Sequence, residues 1–127
     1  MNLNGYVGMP YRDRGCWELV RLVYREQLGI DLPSYADEYA AVPEEDRAEL
    51  GRLITEHRTD WYAIPPGDER PGDAILFKML GEPSHIGVIV EPGLFLHVRA
   101  GHLSCVENYL GAKWRPRVEG VYRHANA

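Results

Sequence analysis

Two cysteines occur in the 127-residue chain, and one of them, Cys16 in "MPYRDRGCWELVRLVY" (9–24), falls where loop residues give way to helical periodicity. A thiol at a helix start lies beside the unpaired N–H groups of the first turn and at the positive end of the helix dipole, and both favour thiolate. A helix terminus contributes roughly 0.3–1 kcal/mol, which is less than about one pKa unit and leaves the sulfur mostly protonated near neutrality. A protonated imidazole about 4 Å away contributes roughly 4 kcal/mol at an effective dielectric of 20, enough to make a thiolate–imidazolium pair the resting state. An activated Cys16 therefore requires a histidine.

The chain has five histidines. His57 falls on the buried side of an expected second helix and His124 lies close to the C-terminus, so both read as structural. His85 and His97 differ, because each sits inside a short hydrophobic segment, "SHIGVIV" or "LFLHV", where an imidazole packs no better than Val or Thr. Two strand-borne histidines joined by one hairpin are expected to be neighbours. One can act as base toward Cys16 while the other orients its ring, the nucleophile–base–orienter arrangement of triads. Set against this, a lone cysteine near a helix start is commonly a small buried hydrophobe. "HLSC", from His102 to Cys105, has metal-ligand spacing that Cys16, His85 or His97 would have to complete. No second paired motif accompanies it, so neither metal nor cofactor is expected. Cys105 is expected to point into the core from its strand.

The elements that must position these groups follow from periodicity. Apolar residues at Trp17, Leu19, Val20, Val23, Tyr24 and Leu28 recur at helical spacing, and Gly29 with Pro33 closes the helix. A second helix is expected from Pro43, with Glu44, Glu45 and Asp46 at its positive end and Leu50, Leu53, Ile54 and His57 buried. "WYAIPPGDERPGD" (61–73) holds three prolines and two glycines and reads as a connecting loop. Beyond it, "AILF", "HIGVIV", "LFLHV", "LSCVE" and "VEGVYRH" read as strands, with "VEPGLF" a tight hairpin. The pattern predicts an α+β domain in which N-terminal helices pack against an antiparallel sheet of about five strands.

A chain of this length is one domain, residues 1–127, and buries roughly two-thirds of its extended surface. With 45% hydrophobic and 26% charged residues it is expected to be globular, without a membrane span. A net charge of −5 with no concentrated basic face argues against nucleic acid. The start, "MNLNGYVGMP", lacks a basic patch followed by an apolar run, so no secretory signal is expected. The chain is then expected to be cytoplasmic when synthesised, or to leave the cell by another route.

"GMPYRDRGCWELV", "RPGDAILF", "SHIGVIV" and "LFLHV", in this order, resemble the NlpC-type papain-like cysteine peptidases of bacterial cell walls, over roughly residues 5–124. The resemblance implies a papain-like fold, Cys16 as nucleophile, His85 as general base and His97 as the residue that orients it. It places Tyr11 where a tyrosine stands beside the nucleophile and helps the substrate carbonyl, with the Cys16 N–H as the other oxyanion donor. It further implies a peptidoglycan stem peptide as substrate, often cut between D-glutamate and a diamino acid. The style of residues 15–37 is similar to the branch associated with phage tails and prophages, which implies tail proteins as partners and delivery to the wall on a virion. Many relatives carry Asp before the cysteine and Ser-Gly after it, whereas here Gly15 precedes and Trp17-Glu18 follow. The alternative kept open is a tail-assembly or interaction protein that retains the fold without chemistry.

Overall fold

The structure is a computed structural model that describes residues 1–11, 15–33, 60–79 and 82–127. The expected second helix from Pro43, with His57, lies outside the described residues. The first helix forms as the sequence predicts. Helix α1 spans Gly15–Val23 and runs on through a π-helical turn over Tyr24–Leu28, which Gly29 ends with φ 66°. Leu19, Val20, Val23 and Tyr24 are its buried residues.

Six strands form one antiparallel sheet: β1 (Trp61–Ile64), β2 (Ala74–Met79), β3 (Glu82–Glu91), β4 (Leu94–His97), β5 (Cys105–Asn108) and β6 (Val118–His124). Their order across the sheet is β1-β6-β2-β3-β4-β5. The five expected strands are all present, and Pro92-Gly93, with Gly93 at φ 99°, makes the β3–β4 turn. The sixth is a correction: Trp61–Ile64 is not loop but pairs with β6, from Trp61↔His124 to Ile64↔Val121. All three prolines of that segment lie beyond Ile64, so "WYAI" keeps every N–H it needs for an edge strand. Trp61 packs on Tyr24 and edge-on to His124, with centroids 5.5 and 5.0 Å away. That gives His124 the structural role expected of it.

The sheet has an apolar cluster on each face, as strand alternation requires. On one side Leu76, Ile86, Val88, Leu96 and Val98 pack with the buried residues of α1. On the other, Ile75, Phe77, Ile89 and Phe95 pack with Tyr109 and Trp114 from the segment between β5 and β6. The "RPGD" turn that precedes β2 is a structural tie. Gly72 holds φ 95°, its carbonyl accepts the Tyr24 hydroxyl, and buried Asp73 takes two hydrogen bonds from Arg123 of β6, each 2.8 Å. Asp73 also accepts the Arg70 N–H. One end of the sheet is thereby pinned to both the helix and β6.

Candidate active site

Backbone geometry explains how two imidazoles come to share one place. Val88 pairs with Leu96 and Ile89 with Phe95, and continuing that register sets Gly87 opposite His97. A Cβ built on Gly87 would lie 2.7 Å from the Leu96 carbonyl oxygen, 2.9 Å from the Phe95 ring and 3.2 Å from the His97 Cβ. With no side chain at 87, the His97 ring leans diagonally toward His85, two residues back on the same face of β3. The β2–β3 register skips one residue there: Phe77 faces His85 but Lys78 faces Pro83, leaving Ser84 as a bulge beside His85. Bulges re-aim neighbouring side chains and recur next to active sites.

His85 Nε2 and His97 Nδ1 are 2.8 Å apart, a buried contact, and both residues are under a tenth exposed. Trp114 stacks on His85 and lies edge-on to His97, at 5.8 and 5.1 Å between centroids. The other nitrogen of His97, Nε2, lies 2.5 Å from the Glu107 carboxylate on β5. Burial pushes the His97 pKa below the ordinary imidazole value, against the pull of Glu107. Partial burial alone would raise the Glu107 pKa, but donors from Trp114, His97 and Lys113 outweigh it and hold it at about 2. Among the described residues the buried Trp114 Nε1 completes no hydrogen bond of good geometry, so its effect on Glu107 is one of proximity.

Cys105 does not enter the core as expected. It is half-buried, directly opposite His97 in the β4–β5 register, with Sγ 3.8 Å from His97 Nε2 and 3.9 Å from Glu107. Burial raises the pKa of its thiol. His97, Cys105 and Glu107 place three ligand atoms within 4.8 Å of one another. Two tetrahedral ligands at about 2.0–2.1 Å from one ion lie roughly 3.3 Å apart, however, and the 2.5 Å His97–Glu107 spacing is that of a hydrogen bond. The donor set therefore reads as a hydrogen-bonded group and not as a metal centre.

Cys16 is the second residue of α1 and half-buried, packed against the cluster that includes Ile86, the neighbour of His85 on β3. Neither cysteine is in a disulfide. The Tyr11 ring covers the backbone of Gly15, where an added Cβ would meet ring carbons at 2.5 and 2.8 Å. This gives the departure at position 15 a physical reason: only glycine fits beneath the Tyr11 ring, next to Cys16. Helix α1 covers the face of β3 that carries Ile86 and Val88, while His85 emerges on the opposite face. The Trp17 indole donates to the Pro33 carbonyl at 2.9 Å, fixing the chain that leaves the helix. Exposed His102 sits on the turn before β5. Glu107 is the site residue that sequence reasoning missed, although a carboxylate two positions after Cys105, beside Val106 in a short strand, was its signal.

A helix packed on an antiparallel sheet, with a cysteine at the helix start and paired imidazoles on the central strands, defines a papain-like α+β domain. The chain belongs to the NlpC/P60 family, whose model matches residues 5–123. Among curated proteins it is 24% identical to the gamma-DL-glutamyl hydrolase of Bacillus subtilis (strain 168), covering 95% of this chain and 27% of that protein. It is 26% identical to the tail tip assembly protein K of Escherichia phage N15, covering 86% of this chain and 44% of that one. The chain thus spans less than half the length of these relatives. Two solved structures share the fold. One is a Staphylococcus aureus protein of the NLP/P60 family, at TM-score 0.62 and 20% identity over 94% of this chain and 38% of that one. The other is the NlpC/p60 domain of the peptidoglycan hydrolase SagA, at TM-score 0.54 and 18% identity over 93% and 88%. Among the described residues no helix is long and apolar enough to cross a membrane.

Proposed function

We propose that this chain is a cysteine peptidase that hydrolyses an amide bond in peptidoglycan stem peptides. The observation that carries the reading is the buried 2.8 Å bond between His85 Nε2 and His97 Nδ1. It commits Nε2 of His85 to the orienter, so Nδ1 is the nitrogen that serves the nucleophile. Membership of the NlpC/P60 family supports the reaction class.

In the proposed cycle the Cys16 thiolate attacks the scissile carbonyl, and the tetrahedral oxyanion is held by the Cys16 N–H and the Tyr11 hydroxyl. The His85 imidazolium gives its proton to the leaving amine as the C–N bond breaks. Water then attacks the thioester, His85 takes its proton, and the acid product leaves as the thiolate returns. His97 holds the His85 ring and accepts its Nε2–H throughout. Similarity to a glutamyl hydrolase favours a bond adjoining a glutamyl residue, including that between D-glutamate and a diamino acid. Similarity to a tail tip assembly protein favours tail proteins as partners that deliver the domain on a virion.

A digest of purified peptidoglycan with mass analysis of the fragments tests the reading: the chain should release stem-peptide products, and Cys16→Ala should release none. Full hydrolysis by Cys16→Ala would end the assignment. The tail-protein similarity also supports a second reading, a tail-assembly module without chemistry. Iodoacetamide separates the two. A catalytic Cys16 reacts faster than a free thiol at pH 6, at a rate that depends on His85, whereas an inert thiol favours the assembly module.

A further inference from the structure

We propose that Glu107 is a positioning residue of this site, which fixes the tautomers of both imidazoles through the hydrogen-bond chain Glu107–His97–His85. The proposal rests on the peptidase reading above and extends it by one residue. A carboxylate only accepts hydrogen bonds, so the 2.5 Å contact to Glu107 Oε2 places a proton on His97 Nε2. Neutral His97 then has its lone pair on Nδ1. The 2.8 Å contact to His85 consequently runs from His85 Nε2–H to His97 Nδ1, and neutral His85 has its lone pair on Nδ1, the nitrogen a base needs toward Cys16. Each assignment follows from the one before. Both imidazoles are buried, so water cannot substitute for a missing partner.

The surroundings hold the carboxylate in its role. Lys113 Nζ lies 3.2 Å from the second Glu107 oxygen, leaving the first to His97, and the Lys113 ammonium and the Arg99 guanidinium lie over the Trp114 ring at 5.3 and 5.7 Å. The Arg117 guanidinium also lies over the Trp114 ring, at 5.7 Å, and the thiol of Cys105 is kept protonated by burial and by the Glu107 charge. Glu107 is 27% exposed, so it remains ionised while its partner is dry. The charge also stabilises an imidazolium at His85 through His97, and with it the thiolate of Cys16.

Three variants separate the contributions. Glu107→Gln keeps an acceptor and removes the charge, Glu107→Ala removes both, and Glu107→Asp retains a carboxylate. The expected result for Glu107→Gln is a fall in kcat of about 10- to 100-fold, the range for partners one shell removed from histidine ligands, with KM little changed. The basic limb of kcat/KM should move to lower pH, because the His85 imidazolium loses the negative charge that sustains it. Glu107→Asp should recover part of kcat. Nitrogen-15 NMR of the unmutated, histidine-labelled protein is the second measurement and needs no variant to fold: both rings should carry a proton on Nε2, His97 should carry none on Nδ1, and Glu107→Ala should populate Nδ1–H at His97. A Nδ1–H His97 in the unmutated protein, or an unchanged pH profile in Glu107→Gln, overturns the role of Glu107. Failure of the underlying reading looks different, since Cys16 of the unmutated protein would then alkylate no faster than a free thiol.

Discussion

Gly87→Ala isolates the backbone feature on which the histidine pair depends. The added methyl would lie 2.7 Å from the Leu96 carbonyl oxygen, 2.9 Å from the Phe95 ring and 3.2 Å from the His97 Cβ. Two of these partners are a ladder carbonyl and a fully buried ring, so neither can swing away and β4 must shift. Overpacking of this kind costs about 1–3 kcal/mol, or a fall in Tm of about 4–12 °C for a domain of this size. The shift also moves His97, and the contact that orients His85 lengthens. Paired measurements check it: urea unfolding for stability, and iodoacetamide labelling of Cys16 at pH 6 for the state of the site. Both should fall. A Gly87→Ala protein within about 0.5 kcal/mol of the parent, the ordinary scatter of surface substitutions, and with unchanged labelling would refute the close approach of β4 and the explanation of the His85–His97 contact built on it.

Tyr11→Phe keeps the ring that covers Gly15 and removes only the hydroxyl, so Tm should hold while kcat falls about 10²–10³-fold, the usual loss of one oxyanion donor; an unchanged kcat would show that the hydroxyl is not a donor. Gly15→Ala, by contrast, displaces the whole ring from contacts of 2.5 and 2.8 Å and should lower both stability and kcat in the same assays. Arg123→Ala strips buried Asp73 of a two-bond partner and should destabilise by about 3–5 kcal/mol in urea unfolding, without changing the pH profile of whatever activity remains. The acid limb of stability contains a contribution from two groups of the site whose pKa is depressed in the fold, beside that of Glu69, which the Tyr109 hydroxyl holds low. The unfolded chain protonates near pH 6.5 at a histidine that native His97 keeps neutral, so stability present above that pH declines as it falls. A second loss follows between pH 4.5 and about 2 as Glu107 protonates. The urea midpoint followed against pH should therefore fall in two stages, and His97→Asn should remove the first.

The sequence was most legible where a pattern had one physical meaning. Helical spacing from Trp17 to Leu28 and β-branched runs separated by turn residues gave α1 and five of the six strands, since periodicity reports which face is buried. The strand at Trp61–Ile64 was hidden because prolines at 65 and 66 colour the whole segment, although a proline removes a ladder donor only at its own position. His85 and His97 stood out as imidazoles in strands with no packing reason to be there, and they are in contact. Glu107 and Cys105 were read less well. Both lie on β5, and the residue each meets is decided by the β4–β5 register, a long-range pairing that composition does not carry. "RPGD" was legible as a motif, yet its content here is structural: Gly72 and Asp73 tie β2 to Tyr24 and Arg123.

Two absent side chains do much to shape the site. At Gly15 the missing Cβ lets the Tyr11 ring settle on the first turn of α1 beside Cys16, and at Gly87 it lets β4 approach until His97 reaches His85. Neither glycine has a positive φ, so neither is needed for backbone conformation, and steric room accounts for both. The polar members of the site follow a complementary rule. His85, His97 and Glu107 sit on three adjacent strands and on one face, each hydrogen-bonded to the next, so burial of the imidazoles is offset by partners and their ring orientations are determined from the partly exposed carboxylate inward. An arrangement that excludes water from two imidazoles while leaving the terminal carboxylate in reach of solvent costs stability below pH 6.5 and serves no packing purpose that Val or Thr would not serve better. That imbalance between structural cost and structural benefit is the physical argument for the proposal that β3, β4 and β5 serve proton transfer.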